Sequence, residues 1–298
     1  MRFGLLGTGP WALRTHGPAL VRHPDAELVG VWGRRPEAAA ELAGQLGARV
    51  YADPDALFAD CDAVALALPP DVQAPLAVRA AEAGCHLLLD KPVATTAQGA
   101  RELAEAADRA GVASVVFFTL RFASVPAAWI EEQTAAGGWL TGRAEWFSPV
   151  FGGGDSPYAA SPWRRQRGAL WDIGPHALSL LLPPLGDVAD LGEVRAARGP
   201  GDTVHLLLRH VSGASSTVTV SHTMPPQAAS VTAELRGTAG IAALPDRETG
   251  DPATAFLGAV DALRAAAGGG PSHPCDVHFG RRVTDILVAV EEALDTHR

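Results

Sequence analysis

"FGLLGTGPWAL" runs from Phe3 to Leu13, and its reading decides the fold. A short apolar run, Arg2 to Leu6, meets Gly7-x-Gly9-x-x-Ala12 and passes at once into a helix-like segment from Pro10 to Arg22. Strand, glycine turn and helix in that order predict a phosphate-binding loop. Gly7 permits the tight turn, Gly9 lets backbone approach a pyrophosphate, and Ala12 is small enough for the helix to pack closely on the sheet. Pro10 removes one N–H donor but suits a first helical turn. An ordinary strand-to-helix turn is the plain alternative; the agreement of strand, helix and N-terminal position favours a dinucleotide site.

Working outward, the next strand is Glu27 to Trp32, inside "LVGVWGRRPEA". Proteins that bind NAD usually carry an acidic residue at the end of this strand, about 20 residues past the loop, for the ribose hydroxyls. Here Gly33 occupies the corner and Arg34 and Arg35 follow. A glycine leaves room for a 2'-phosphate and a guanidinium can pair with it bidentately, so NADP is expected over NAD. A solvated basic loop is the competing reading.

The alternation continues with helix-like Pro36 to Leu46, apolar Ala63 to Leu68, helix-like Val72 to Ala83, apolar His86 to Leu89, helix-like Ala97 to Ala110 and apolar Val112 to Phe118. Strands separated by helices of that length predict a parallel sheet covered on both faces. After about Thr119 the pattern changes: Thr203 to His210, Ser215 to Ser221 and Ser230 to Leu235 alternate with period two, as antiparallel strands do. The expected architecture is therefore α/β, with a dinucleotide-binding domain over 1–119 and a second domain over 120–298 for substrate binding and oligomerisation. Gly152 to Pro162 and Ala266 to Pro274 read as loops. Gly280 to Thr296 reads as a helix able to pack on either domain, with Val283, Ile286, Leu287, Val290 and Leu294 at helical spacing.

Composition narrows the function classes. Of 298 residues 47% are apolar, enough for a real core, while a net charge of −9 makes a nucleic-acid backbone an unsuitable main partner. No window approaches the roughly 20 uninterrupted apolar residues of a membrane helix, and the start of the chain lacks the long apolar region of a signal peptide. Three widely spaced cysteines, Cys61, Cys85 and Cys275, suggest no disulfide framework, so the cytoplasm is expected.

Two further stretches carry chemistry. "HLLLDKP" closes an apolar strand with Asp90, Lys91 and Pro92, poor core material but suitable at the carboxyl end of a parallel strand, where open sheets bind ligands. "RRQRGALWDIGPH" carries Asp172 and His176, four apart and on one face if helical, although Pro175 requires the helix to start near Asp172 or to kink there. Taken singly, a surface lysine, a capping aspartate and a satisfied histidine would be sufficient readings.

Together the pieces resemble the Gfo/Idh/MocA oxidoreductase family along nearly the whole chain. GTGPWA is followed by "LPPDVQAPLAVRAAEAGCHLLLDKP", which looks like the family segment ending in Glu-Lys-Pro, and by "GALWDIGPH", which looks like its Gly-x-x-x-Asp-x-Gly-x-His stretch. The resemblance implies a Rossmann domain, then a C-terminal α/β domain with an open, mainly antiparallel sheet that forms homodimers or higher oligomers. It implies nicotinamide-dependent interconversion of a secondary alcohol and a ketone on a sugar or sugar-like polyol. It also implies a catalytic set of Lys91, Asp172 as the substrate-positioning acid, and His176 as acid/base. Candidate cofactor-binding residues are Gly7, Gly9, Pro10, Trp11, Ala12, Gly33, Arg34, Arg35, Pro69 and Lys91, and a cis bond at Lys91-Pro92 is expected. Asp90 for Glu, Ala74 where many members have His, Asp71 for Asn and Ser179 for Asp depart from the pattern and bear on the substrate more than on the fold. A non-catalytic NADP-binding regulator and a reductase of a non-sugar carbonyl remain as alternatives. "HPCDVH" (273–278) has metal-ligand types without a zinc spacing, so no metal is expected. "SPWRRQRG" could meet an acidic substrate or the cofactor phosphates, or be a solvated or interface-paired basic loop.

Overall fold

Each apolar run that precedes a helical segment becomes a strand of one parallel sheet. The computed structural model describes residues 1–153, 156–246 and 250–296. The first sheet contains β1 (Arg2–Leu6), β2 (Glu27–Trp32), β3 (Arg49–Tyr51), β4 (Ala63–Leu66), β5 (His86–Asp90) and β6 (Ser114–Phe117), in the order β3-β2-β1-β4-β5-β6. Between them run α1 (Gly17–Arg22), α2 (Pro36–Leu46), α3 (Pro54–Asp60), α4 (Pro70–Glu82) and α5 (Ala97–Ala110). The chain order reverses direction between β1 and β4, which is where an open parallel sheet parts its loops to admit a ligand. Phe3, Leu5, Leu6, Ala65, Leu66, Leu87, Leu88 and Leu89 are fully buried, as strands covered on both faces must be.

Local chemistry sets the helix ends. Thr96 Oγ1 accepts from Gly99 N at 3.0 Å to start α5, and Gly111, at φ +65°, closes it. The segment from Pro10 to Arg22 is helical, but Ala12–His16 forms a π-turn ahead of α1. Pro18 lacks the N–H that would bond Arg14, and the wider turn carries the chain past that gap.

The second sheet is mixed and mainly antiparallel, with the order β12-β11-β7-β10-β9-β8. Its strands are β7 (Trp139–Phe147), β8 (Arg195–Arg198), β9 (Val204–Arg209), β10 (Ser215–Ser221), β11 (Ser230–Gly237) and β12 (Gly240–Ala243); β10 and β7 are its parallel pair. The helices of this part of the chain are α6 (Ser124–Ala136), α7 (Pro162–Asp172), α8 (Gly174–Leu185), α9 (Pro252–Ala267) and α10 (Val277–Thr296). Buried Ala144, Leu206, Leu208, Val218, Val220, Ala233 and Leu235 share one face of the sheet, and α8 covers it. Gly142 is what permits the approach: a Cβ there would stand 2.8 Å from Leu185 and 2.9 Å from Leu235.

Residues 1–122 and 250–282 form one compact unit, and residues 123–249 and 283–298 form another. Val283, Ile286, Leu287, Val290 and Leu294 are all buried, as their helical spacing predicts. Within 152–162, Gly154 and Asp155 lie outside the described residues; the remainder is mostly turn. The three cysteines are buried and unpaired, and burial pushes the Cys275 thiol up to about 11.

Candidate active site

The phosphate loop forms at the end of β1. Gly7 adopts φ +125° and packs so tightly that a Cβ would meet the Ala67 carbonyl oxygen at 2.3 Å, so only glycine fits. A Cβ on Gly9, by contrast, would meet nothing within 4 Å, which leaves bare backbone where a pyrophosphate would approach. Leu13 N bonds Gly9 O at 3.0 Å and begins the helix; the N–H groups of Gly9, Trp11 and Ala12 precede that bond and suit an anion. Trp11 lies 6.2 Å from the Phe117 ring at the end of β6. Ala12 is fully buried. These residues fit a dinucleotide.

At the end of β2, a Cβ on Gly33 would come within 2.6 Å of Thr8 Cγ2, so a side chain there requires Thr8 to shift. Arg34 and Arg35 follow at the surface, both exposed, with Arg35 at the N-cap of α2. Pro69 caps α4 beyond the end of β4. At the end of β5 the Lys91-Pro92 bond is cis, the isomer the sequence reading expects. Asp90 turns its carboxylate back to accept from Lys91 N at 2.9 Å. The fully buried Gln73 of α4 grips this strand end from both sides: its Oε1 accepts from Asp90 N at 2.9 Å, and its Nε2 donates to Asp90 O at 2.8 Å and Pro92 O at 3.2 Å.

In the second unit, Asp172 and His176 do not share one helix. The break falls at Ile173, so Asp172 is the last residue of α7 and His176 sits in the first turn of α8, with Pro175 at an early position where its missing N–H costs nothing. Asp172 is 6% exposed; its Oδ2 accepts from Arg164 Nε at 2.7 Å and lies 3.1 Å from His222 Nε2. His176 is 7% exposed and stacks on Trp146 at 5.0 Å between ring centroids, because Trp146 lies on the sheet face that α8 covers. Ser179 Oγ donates to His176 O at 2.7 Å.

The arginines of "SPWRRQRG" are held within the second unit. Arg164 pairs with Asp172 and lies 4.8 Å from both the Tyr158 and Trp163 ring centroids. Arg165 donates to Ala159 O, and Arg167 to Glu291. "HPCDVH" is a turn and helix cap: His273 Nδ1 accepts from Cys275 N, and Asp276 Oδ1 accepts from His278 N and Phe279 N. Gln73, His222, Trp146 and Asp202 escape a sequence reading, because each acts across a distance in the chain that no local pattern marks.

Residues 1–118 match the family model described as "Oxidoreductase family, NAD-binding Rossmann fold", and residues 132–243 match "GFO/IDH/MocA C-terminal domain". The chain belongs to the Gfo/Idh/MocA family. Among curated relatives of this Gfo/Idh/MocA chain, a dTDP-3,4-didehydro-2,6-dideoxy-alpha-D-glucose 3-reductase of Streptomyces antibioticus is 36% identical over 121 residues, 40% of this chain and 37% of its own. The levoglucosan dehydrogenase of Pseudarthrobacter phenanthrenivorans is 28% identical over 249 residues, 69% of this chain and 61% of its own. The fold extends further than the sequence likeness. GenD2 from gentamicin A biosynthesis, solved in complex with NAD, superposes with a TM-score of 0.84 at 22% identity, over 100% of this chain and 95% of that one.

Proposed function

We propose that this protein is an NADP-preferring oxidoreductase that interconverts a secondary alcohol and a ketone on a sugar or sugar-like polyol. Residues 1–119 hold the nucleotide, with Gly7, Gly9, Pro10, Trp11, Ala12 and Pro69 around it and Arg34 and Arg35 available to a 2'-phosphate. Residues 120–298 hold the substrate and the contacts between subunits of a homodimer or larger assembly. The nicotinamide, when bound, takes or gives the hydride. The hydroxyl proton has to leave in the oxidative direction; an imidazole of ordinary pKa about 6.5 can take it near neutral pH, and we assign that to His176. Lys91 steadies the developing alkoxide as a cation, and Asp172 orients the sugar hydroxyls. Three buried free thiols suit a reducing compartment, the cytoplasm.

The observation that carries the reading is that each residue in the family motif has its own support. Gln73 clamps the backbone that presents Lys91, Trp146 backs His176, and Arg164 and His222 hold Asp172. The two curated relatives named above act on sugars by their names, and a catalytic role accounts for both Lys91 and His176 where simple nucleotide binding does not. The test is a panel of inositols, hexoses, anhydro-sugars and nucleotide-linked keto-sugars with NADP and NAD, followed by nicotinamide absorbance. Turnover is expected for at least one member, with Lys91→Ala and His176→Ala each slower by about 100-fold or more. Nucleotide binding without turnover of any member would replace this reading with that of a nucleotide-binding regulator.

A further inference from the structure

His222 has no place in the family motif, yet it is 1% exposed and touches Asp172. The chain holds it firmly. It follows β10 directly, its backbone N donates to Asp202 Oδ1 at 2.8 Å, and its carbonyl accepts from Phe151 N at 2.8 Å. The Phe151 ring meets the imidazole edge-on at 5.7 Å and 84°. Asp202 also accepts from Ser221 Oγ and Thr223 Oγ1 at 3.1 Å and, through its other oxygen, from Ala169 N at 3.0 Å. Ala169 follows Gly168, whose φ of +66° kinks α7 four residues before Asp172. One carboxylate thus ties the segment carrying His222 to the helix end carrying Asp172.

The contact itself fixes the state of the ring. An ionised carboxylate only accepts, so Nε2 must carry the hydrogen that it directs at Asp172 Oδ2. Nδ1 is buried with no hydrogen-bond partner among the described residues. An apolar residue would avoid that unpaired nitrogen, so what the histidine supplies is the bond to Asp172. Arg164 already provides a counter-charge on the same oxygen, and His222 is a second donor to it. The second donor adds direction, since it fixes the plane of the carboxylate.

We propose that His222, as the Nε2–H tautomer, is a positioning residue that orients the Asp172 carboxylate toward the substrate. The inference rests on the proposed role of Asp172 as the acid that meets the sugar. Two measurements on the full-length protein test it. Long-range nitrogen–proton NMR of the imidazoles at alkaline pH should show His222 protonated on Nε2, with its shift altered in Asp172→Asn. Steady-state kinetics should then show His222→Leu raising KM for the sugar about tenfold with KM for the nicotinamide nucleotide unchanged, as loss of one charge-assisted hydrogen bond predicts. His222→Gln, which keeps a side-chain N–H, should recover most of that loss. An Nδ1–H tautomer, Leu and Gln variants that behave alike, or parallel rises in both KM values would overturn the inference while leaving the oxidoreductase reading intact. A wild-type protein that turns over no sugar or polyol would overturn both.

Discussion

At the scale of single residues, the proposed preference for NADP rests on Arg34. A Cβ at Gly33 would stand 2.6 Å from Thr8 Cγ2, so an acid there requires the Thr8 side chain to shift, and the β2 corner lacks the usual partner for ribose hydroxyls. Charge-assisted hydrogen bonds contribute about 1.5–3 kcal/mol, so Arg34→Ala should weaken NADPH binding by about 10-fold or more and leave NADH unchanged, read by nicotinamide fluorescence titration. Equal affinities for both nucleotides in wild type would remove the NADP preference. Lys91, Asp172 and His176 could be picked out from the sequence because each sits in a short motif. Gln73 and His222 could not, since they act over separations of 17 and 50 residues that only the folded chain brings together.

At the scale of elements, the parallel strands were legible because five-residue apolar runs alternate with helix-length segments, and β1, β2 and α2 start and stop where that pattern does. β3 and α3 were not: three residues at a sheet edge, with Arg49 and Val50 exposed, carry no periodic signal. Nor was the π-turn Ala12–His16, because a helix pattern does not register one added residue per turn. That turn buries His16 completely, 4.1 Å from the Phe256 ring, with no hydrogen-bond partner for either ring nitrogen among the described residues. Burial drops its pKa to about 3. An unfolded His16 titrates near 6.5, so below that pH the unfolded chain binds a proton that the folded chain refuses. The stability is fully present above pH 6.5 and is lost by about 1.4 kcal/mol per pH unit as pH falls from there toward 3. Urea midpoints at mildly acidic and at neutral pH should therefore fall less for His16→Leu than for wild type; equal falls would place the acid sensitivity elsewhere.

At the scale of the whole molecule, the proposed assembly turns on the face of the second sheet opposite α8. In sequence, the strands Thr203 to His210 and Ser215 to Ser221 have apolar or small residues on both faces. The structure is more discriminating: the outer rows pair Glu234 with Arg143 and Thr232 with Glu145, and align Thr217 with Leu207 and Thr219 with His205. Leu207, at 47% exposure, and Ile241, at 61%, are large apolar residues of these rows that stand out in solvent. The rows also hold threonine, arginine, glutamate and His205, polar side chains that strands tolerate at the surface and that interfaces also use at their rims. A stable dimer needs about 800 Å² buried per partner, which an open face several strands wide can supply when two copies meet around Leu207 and Ile241. Light scattering at micromolar concentration should then report a dimer or larger species, and Leu207→Glu with Ile241→Glu should shift it toward monomer by burying unpaired carboxylates in the contact. A wild-type monomer would reject the assembly; an oligomer indifferent to both substitutions would move the contact to another surface.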